Sequence, residues 1–227
     1  MNDSAVSRVF LVDDHAFVSL GVKDYLERQE GIEVIGAAID VRGALEFLEN
    51  NDVDVAVIDL VIGSDDGLAL VKQVHALHPG LSILVLSMHD ERIYAERAIR
   101  AGALGYVMKG EAPEVLVEAV RTVRRGDLYL SESASTASDV RRSQAPRSEG
   151  RDPLTTLSDR ELTVFRWLGD GRSSREIAEA LHISLKTVHT YRERIKTKLG
   201  LDSAVQLVHR AVIFSRGDST EEGSAST

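Results

Sequence analysis

Three carboxylates, a hydroxyl and an ammonium stand at the ends of short apolar runs in the first half of this chain. Val9 to Val12 leads into Asp13 and Asp14, Val55 to Ile58 into Asp59, Ile83 to Leu86 into Ser87, and Tyr106 to Met108 into Lys109. Carboxylates held together raise each other's pKa unless a cation screens them. Such a cluster calls for a hard divalent ion with oxygen ligands, Mg2+ before others. It forms only if the runs are parallel strands of one open sheet, whose carboxyl ends share the edge where ligands bind.

The segments between the runs carry the helices that such a sheet needs. Val18, Val22, Tyr25 and Leu26 follow the first run at the spacing of one buried helix face. Glu33 to Ala37 reads as a further strand, and Val41, Ala44, Leu45 and Leu48 as the helix after it. Later helices are predicted over Leu68 to Leu77, Glu91 to Ala101 and Pro113 to Arg125, the last with proline in its tolerated first turn. Five strands alternating with helices predict a doubly wound α/β domain, its parallel sheet covered on both faces.

Composition bounds the rest. The chain has 227 residues, enough for two domains, and 43% are hydrophobic. It contains no cysteine, which removes disulfides, thiolate metal sites and cysteine nucleophiles. No stretch has the roughly 20 apolar residues of a membrane span, so a soluble, cytoplasmic protein without membrane contact is expected. Charge is uneven: Lys and Arg against Asp and Glu number 12 to 22 in residues 1–130, 4 to 4 in 131–157 and 11 to 10 in 158–227. Periodicity disappears between Ser131 and Thr156, where Ser, Ala, Arg and Pro dominate. A flexible linker spanning roughly 25 to 30 Å is expected there, with a short helix around Ser138 to Ser143 left open. The tail from Arg216 to Thr227, with no apolar anchor, is expected to be disordered.

From Ser158 onward the pattern is helical. Ser158 with Glu161 and Ser173 with Glu176 fit capping boxes, Ser184 caps a third helix, and Asp202 or Ser203 a fourth. Gly169, Gly171 and Gly200 fall where helices should stop. A turn at about His182 to Ser184 makes the second and third helices a helix-turn-helix. The third, Leu185 to Leu199, carries Lys186, Arg192, Arg194, Lys196 and Lys198 against the single acid Glu193. Its buried stripe is Val188, Tyr191, Ile195 and Leu199; opposite stand Lys186, His189, Thr190, Glu193 and Thr197. On an isolated helix this would be a solvated basic face. As the second helix of a helix-turn-helix it suits a major groove, with flanking cations on phosphates. The last helix, Ser203 to Phe214, bears two apolar stripes, Val205, Val208 and Val212 beside Ala204, Leu207 and Ala211. One packs on the core, and the other is expected to pair two copies; the expected pairing face is Ala204, Leu207 and Ala211. His75 and His78 lack further ligands at a recognised spacing, so a metal reading is rejected for them.

These motifs together resemble a known family. Asp13-Asp14, Asp59 followed eight residues later by Gly67, Ser87, and Tyr106-Val-Met-Lys109 resemble a bacterial response-regulator receiver domain. Leu157-Ser-Asp-Arg-Glu161, Glu176-Ile-Ala178 and Lys186-Thr-Val188 through Lys198-Leu-Gly200 resemble the LuxR-type helix-turn-helix of the NarL/FixJ family. The resemblance implies a flavodoxin-like receiver with strand order 2-1-3-4-5 over residues 1–130, a linker over 131–156, a small all-α DNA-binding domain over 157–215 and a tail over 216–227. It implies that Asp59 accepts a phosphoryl group from a histidine kinase. Asp14, Asp59 and the Val61 carbonyl would then ligate Mg2+, with Asp13 acting through water. Lys109 and Ser87 would hold the phosphoryl oxygens, and Tyr106 would turn inward. Lys186, Thr187, His189, Thr190, Arg192, Glu193, Arg194 and Lys198 would contact promoter DNA, on which the protein would be a homodimer with RNA polymerase as a further candidate partner. No substrate turnover is expected. The sequence departs from the family where Met-Pro commonly follows the phosphoacceptor, reading Asp59-Leu-Val-Ile62-Gly63 instead. Two rival readings are a constitutive DNA-binding protein whose receiver only dimerises, and a Mg2+-dependent phosphatase.

Overall fold

The structure is a computed structural model, and residues 6–63, 65–131 and 152–215 are described. The chain divides into two compact units, 1–146 and 147–227. The linker helix considered at Ser138 to Ser143 and the tail from Arg216 lie outside the described residues.

In the first unit, β1 (Ser7–Val12), α1 (Ala16–Glu27), β2 (Ile32–Ala38), α2 (Val41–Asn50) and β3 (Val55–Ile58) follow in order. After a two-strand hairpin, β4 (Val61–Ile62) and β5 (Asp65–Asp66), come α3 (Gly67–Leu77), β6 (Ser82–Ser87), α4 (Glu91–Ala101), β7 (Gly105–Met108) and α5 (Pro113–Arg124). The main sheet is parallel with order β2-β1-β3-β6-β7, the predicted 2-1-3-4-5 once the hairpin is set aside. β3 and β6 are buried throughout, as strands covered on both faces must be. On one face Val9, Leu11, Val57, Leu84 and Val107 join Leu26 of α1 and Leu116, Val120 and Val123 of α5 in one core. On the other, Phe10 stacks on Phe47 of α2 with ring centroids 4.3 Å apart. Gly36 leaves room for that ring, since a Cβ there would lie 2.4 Å from Phe47.

Register sets the site. Val12 pairs with Ile58, and the Asp59 amide donates to the Val12 carbonyl at 2.9 Å, so Asp13 and Asp59 leave adjacent strands at one level. Ser87 pairs with Met108, and the Lys109 amide donates to the Ser87 carbonyl at 2.8 Å. Beyond α5 the chain returns along β7: Tyr129 bridges Gly105 in parallel, and Ser131 donates from its backbone N–H to Glu91 at 3.1 Å and from its hydroxyl to the same carboxylate. The predicted linker start therefore moves, because Ser131 is anchored to the N-terminus of α4.

The second unit holds a 3-10 turn (Pro153–Thr156), α6 (Asp159–Gly169), α7 (Ser174–Ala180), α8 (Leu185–Leu199) and α9 (Ala204–Ser215). Both predicted capping boxes form, and Ser184 and Ser203 cap α8 and α9. The turn into α8 uses His182 at φ 53, and Gly200 ends α8 at φ 65. Here the linker expectation is corrected at its other end. Asp152 caps the 3-10 turn through the Leu154 amide at 2.8 Å, and Leu154 is buried at 3% exposure, so the domain core begins before residue 157.

The pairing face assigned to α9 is also corrected. Leu207 and Ala211 are fully buried against the core, whereas Val205 is 78% and Val208 37% exposed. Close approach of helices decides this. A Cβ on Gly169 of α6 would lie 2.2 Å from the Ala211 carbonyl oxygen, so the small-residue stripe of α9 packs inward where α6 offers no side chain. Ala204 is exposed, at the first turn. Among the described residues, no helix is long and apolar enough to cross a membrane.

Candidate functional site

At the carboxyl edge of the sheet, Asp13 (6% exposed), Asp59 (4%) and Ser87 (0%) are buried. Lys109 reaches from the end of β7 to both carboxylates, with Nζ 2.7 Å from Asp13 Oδ2 and 2.8 Å from Asp59 Oδ2. Burial disfavours its ammonium, but the two acids outweigh burial and raise its pKa, so it stays charged. The Asp59 carboxyl is pushed above its ordinary value by burial and the Asp13 charge. Lys109 opposes this, as does the Val61 amide. One cation thus serves a cluster of three acids, leaving negative charge for another to offset.

The lone pairs are divided unequally. Asp13 uses both oxygens, Oδ2 on Lys109 and Oδ1 on the His15 backbone N–H at 2.9 Å. Asp14 Oδ2 accepts from the Gly63 amide at 2.9 Å. Asp59 Oδ1 is buried without a hydrogen-bond donor, and the buried Asp14 Oδ1 faces the His15 imidazole, whose Nδ1 lies 2.9 Å away. Ligand atoms of Asp13, Asp14, His15 and Asp59 all lie within 4.8 Å of one another. Buried carboxylate oxygens lacking donors are costly unless a cation meets them. The residues therefore fit a hard divalent ion, with Asp14 and Asp59 offering the open oxygens.

Gly63 is a site residue that sequence reasoning missed as such. It turns the β4–β5 hairpin at φ 57, a left-handed conformation that glycine adopts without strain. The turn amide of this hairpin orients Asp14. Behind it, Gly67 opens α3 against the end of β3. A Cβ there would sit 2.2 Å from the Asp59 carbonyl oxygen, which explains glycine at that spacing.

Ser87 Oγ accepts from the His89 amide at 3.3 Å, and the Tyr106 hydroxyl donates to the His89 carbonyl at 2.8 Å. Tyr106 is thus already inward, at 1% exposure. Burial, with the charges of Asp59 and Glu91 adding and Ser87 opposing, pushes its phenol well above its usual pKa, so it remains a donor. His75 packs over Gly102 rather than toward this pocket.

On α8, Val188 and Ile195 are buried and Tyr191 and Leu199 half-buried, as the stripe predicted. Lys186, His189, Thr190, Glu193, Arg194 and Thr197 are exposed together. Other predicted contacts have partners inside the domain. Thr187 meets Ser184 at the helix cap, and Arg192 Nη1 donates to Ser174 Oγ at 2.7 Å. Glu193 pairs with Lys196 at 2.9 Å. Lys198 Nζ lies 2.6 Å from Glu161 Oε2 and donates to the Thr156 carbonyl at 3.1 Å, so its ammonium ties α8 to α6. A cation on a helix shows in sequence; the buried acid that claims it does not.

Comparison with known proteins follows this division. Residues 9–121 match the model of the response regulator receiver domain, and residues 155–211 that of bacterial regulatory proteins of the luxR family. The response regulator UvrY of Escherichia coli K12 is 34% identical over 204 residues, covering 90% of this chain and 93% of UvrY. The oxygen regulatory protein NreC of Staphylococcus carnosus is 34% identical over 209 residues, covering 90% and 96%. RcsB from Salmonella enterica serovar Typhimurium, solved bound to promoter rprA in the presence of the phosphomimetic BeF3-, is similar with a TM-score of 0.74 at 27% identity, covering 91% of this chain and 98% of RcsB. With both halves matched in this order and relatives aligned along nearly their whole length, the chain belongs to the NarL/FixJ family of two-component response regulators.

Proposed function

We propose that this protein is a transcription regulator switched by phosphorylation of Asp59, with a histidine kinase as donor and promoter DNA as the target of the modified chain. The observation that carries the reading is the buried Asp59 Oδ1 without a donor, set beside Asp14 and beside a lysine that holds Asp59 Oδ2 and Asp13 Oδ2. A carboxylate oxygen of Asp59 attacks phosphorus, and the bond from phosphorus to the kinase imidazole breaks, the electron pair leaving with the imidazole. Mg2+, when bound by Asp14, Asp59 and the Val61 carbonyl with Asp13 behind water, supplies charge neutralisation. Lys109 exchanges its Asp59 contact for a phosphoryl oxygen. Ser87 turns its hydroxyl from the His89 amide to the phosphate, which draws the segment that Tyr106 holds toward the pocket. This chain accepts and loses its own phosphoryl group and turns over no separate substrate.

On the output side, Lys186, His189, Thr190 and Glu193 face base edges while Arg192, Arg194 and Thr187 hold phosphates. Lys198 serves as an internal tie. Two copies pair through the exposed Val205 and Val208 of α9, setting their reading helices about one DNA turn, roughly 34 Å, apart. Labelling by acetyl phosphate in Mg2+, with wild type and Asp59→Asn, tests the reading. Label must require both the metal and Asp59, and DNA binding must follow the label. Binding indifferent to the label would favour a constitutive regulator, and turnover of a small phosphate ester would favour a phosphatase.

A further inference from the structure

Glu91 opens α4, and the phosphoacceptor scheme has no use for its carboxylate. Buried at 5% exposure, it accepts twice from one residue, the Ser131 backbone N–H on Oε1 at 3.1 Å and the Ser131 hydroxyl on Oε2. Ser131 is the last described receiver residue before the segment that leads to the output domain. The piece of chain ahead of it is fastened along the outer edge of β7. There the Tyr129 amide donates to the Leu104 carbonyl at 2.8 Å, and the Tyr106 amide donates to the Tyr129 carbonyl at 3.2 Å. Gly105 permits this approach, since a Cβ on it would lie 3.1 Å from the Tyr129 carbonyl oxygen and 2.8 Å from Leu84. Glu91 therefore pins the end of a strap that runs into the linker.

The other side of Glu91 joins the switch. Met88, His89 and Asp90 alone separate it from Ser87, and they are tied to the helix. Asp90 caps α4 through the Arg92 amide at 2.8 Å, its carbonyl accepts from the Ile93 and Tyr94 amides, and the His89 ring stacks on Tyr94 with centroids 5.0 Å apart. A pull on Ser87 is thus carried into the first turn of α4 rather than absorbed in the loop. Its direction follows from strand order. Asp59 extends β3, β6 lies between β3 and β7, and the strap lies beyond β7. Movement of the Ser87 segment toward a phosphate on Asp59 is movement away from Ser131.

We propose that Glu91 is a clamp on the linker, closed in the unmodified chain and opened when phosphorylation of Asp59 draws the Ser87 segment inward, and that the closed clamp lowers DNA affinity. Contacts made in only one of two states bias the equilibrium toward that state, and the bonds to Ser131 belong to the closed one. One such hydrogen bond shifts the balance by a factor of about five. The inference rests on the proposed function and adds the contact through which the switch reaches the linker.

The test follows amide hydrogen exchange at Ser131 by NMR in the full chain, together with affinity for a selected operator duplex. Wild type, Ser131→Ala and Asp59→Asn are compared before and after excess acetyl phosphate in Mg2+, with intact mass reporting the adduct. In wild type the Ser131 amide is expected to exchange at least about tenfold faster once the adduct is present, and Asp59→Asn shows no change. Ser131 lies outside the receiver core, so Ser131→Ala takes the phosphoryl group as wild type does. It loses the hydroxyl half of the clamp, binds DNA about fivefold more tightly than wild type when unmodified, and gains about fivefold less on modification. Ser131 exchange that ignores the adduct, or wild-type DNA affinity in unmodified Ser131→Ala, overturns the clamp and leaves the phosphoacceptor reading standing. Absence of the adduct from wild type overturns both.

Discussion

Replacing Lys198 by Met separates two roles that a basic helix residue can have. In this structure the ammonium bridges Glu161, 3% exposed on α6, and the Thr156 carbonyl of the preceding turn. A hydrogen bond to a charged group contributes about 1.5–3 kcal/mol. The Lys198 side chain is 37% exposed, so water screens part of the interaction and the loss should be nearer about 1–2 kcal/mol. For a domain of this size that lowers the midpoint by about 5–15 °C. The chain's single tryptophan, Trp167, lies buried on the same helix as Glu161, so its fluorescence follows this unit. Burial raises the Glu161 carboxyl, but hydrogen bonds from Lys198 and the Ser158 capping box outweigh it and hold the group below its ordinary value. A depressed acid contributes stability that is present above its unfolded value and lost as pH falls through its folded value. The gap between wild type and Lys198→Met must therefore narrow in acid. An internal tie also predicts that the salt dependence of DNA binding keeps its slope. A midpoint unchanged at neutral pH, together with a slope reduced by about 0.9, the value of one released phosphate contact, would refute the reasoning.

Four further substitutions probe other joints. Gly67→Ala drives a Cβ against the Asp59 carbonyl, so α3 must retreat by about 1 Å at about 1–3 kcal/mol; faster hydrogen exchange in β3 and weaker phosphoryl labelling are expected, and normal values of both would contradict the packing. Leu207→Lys places a charge in the core and should unfold the output domain by Trp167 fluorescence, whereas Val205→Lys should leave folding intact and weaken self-association in sedimentation. The reverse pattern would restore the pairing face that the sequence suggested. Ser173→Ala removes one capping box ahead of the reading helix and should lower stability by about 1 kcal/mol in urea unfolding, with no change if the box is only geometric.

What the sequence made legible was mostly local. Apolar runs ending in Asp, Ser or Lys marked β1, β3, β6 and β7 because fully covered strands need continuous apolar residues. Capping residues marked α6 through α9 to within a residue or two, since Ser with Glu three positions on satisfies backbone groups without distant help. The turn at Pro153 was missed, because the surrounding linker composition hid its signal of Asp followed by Pro at the first helical position. Other features depend on approach across the fold. The Gly63 amide meets Asp14 over a separation of 49 residues, and Lys198 meets Glu161 over 37. On α9 two apolar stripes adjoin, so periodicity alone could not choose between them. The glycine at 169 on the neighbouring helix decides it, through a backbone approach that no pattern within α9 records.

The most direct measurement takes an operator duplex selected from random sequence against the acetyl phosphate-treated chain, and compares its affinity for wild type and Asp59→Asn before and after treatment in Mg2+. Intact mass establishes whether the phosphoryl group is present. Wild type should gain the adduct and bind at least about tenfold more tightly, a difference of about 1.4 kcal/mol, while Asp59→Asn gains neither. Equal affinity with and without the adduct, or equal gain in Asp59→Asn, would contradict the coupling of Asp59 chemistry to DNA binding.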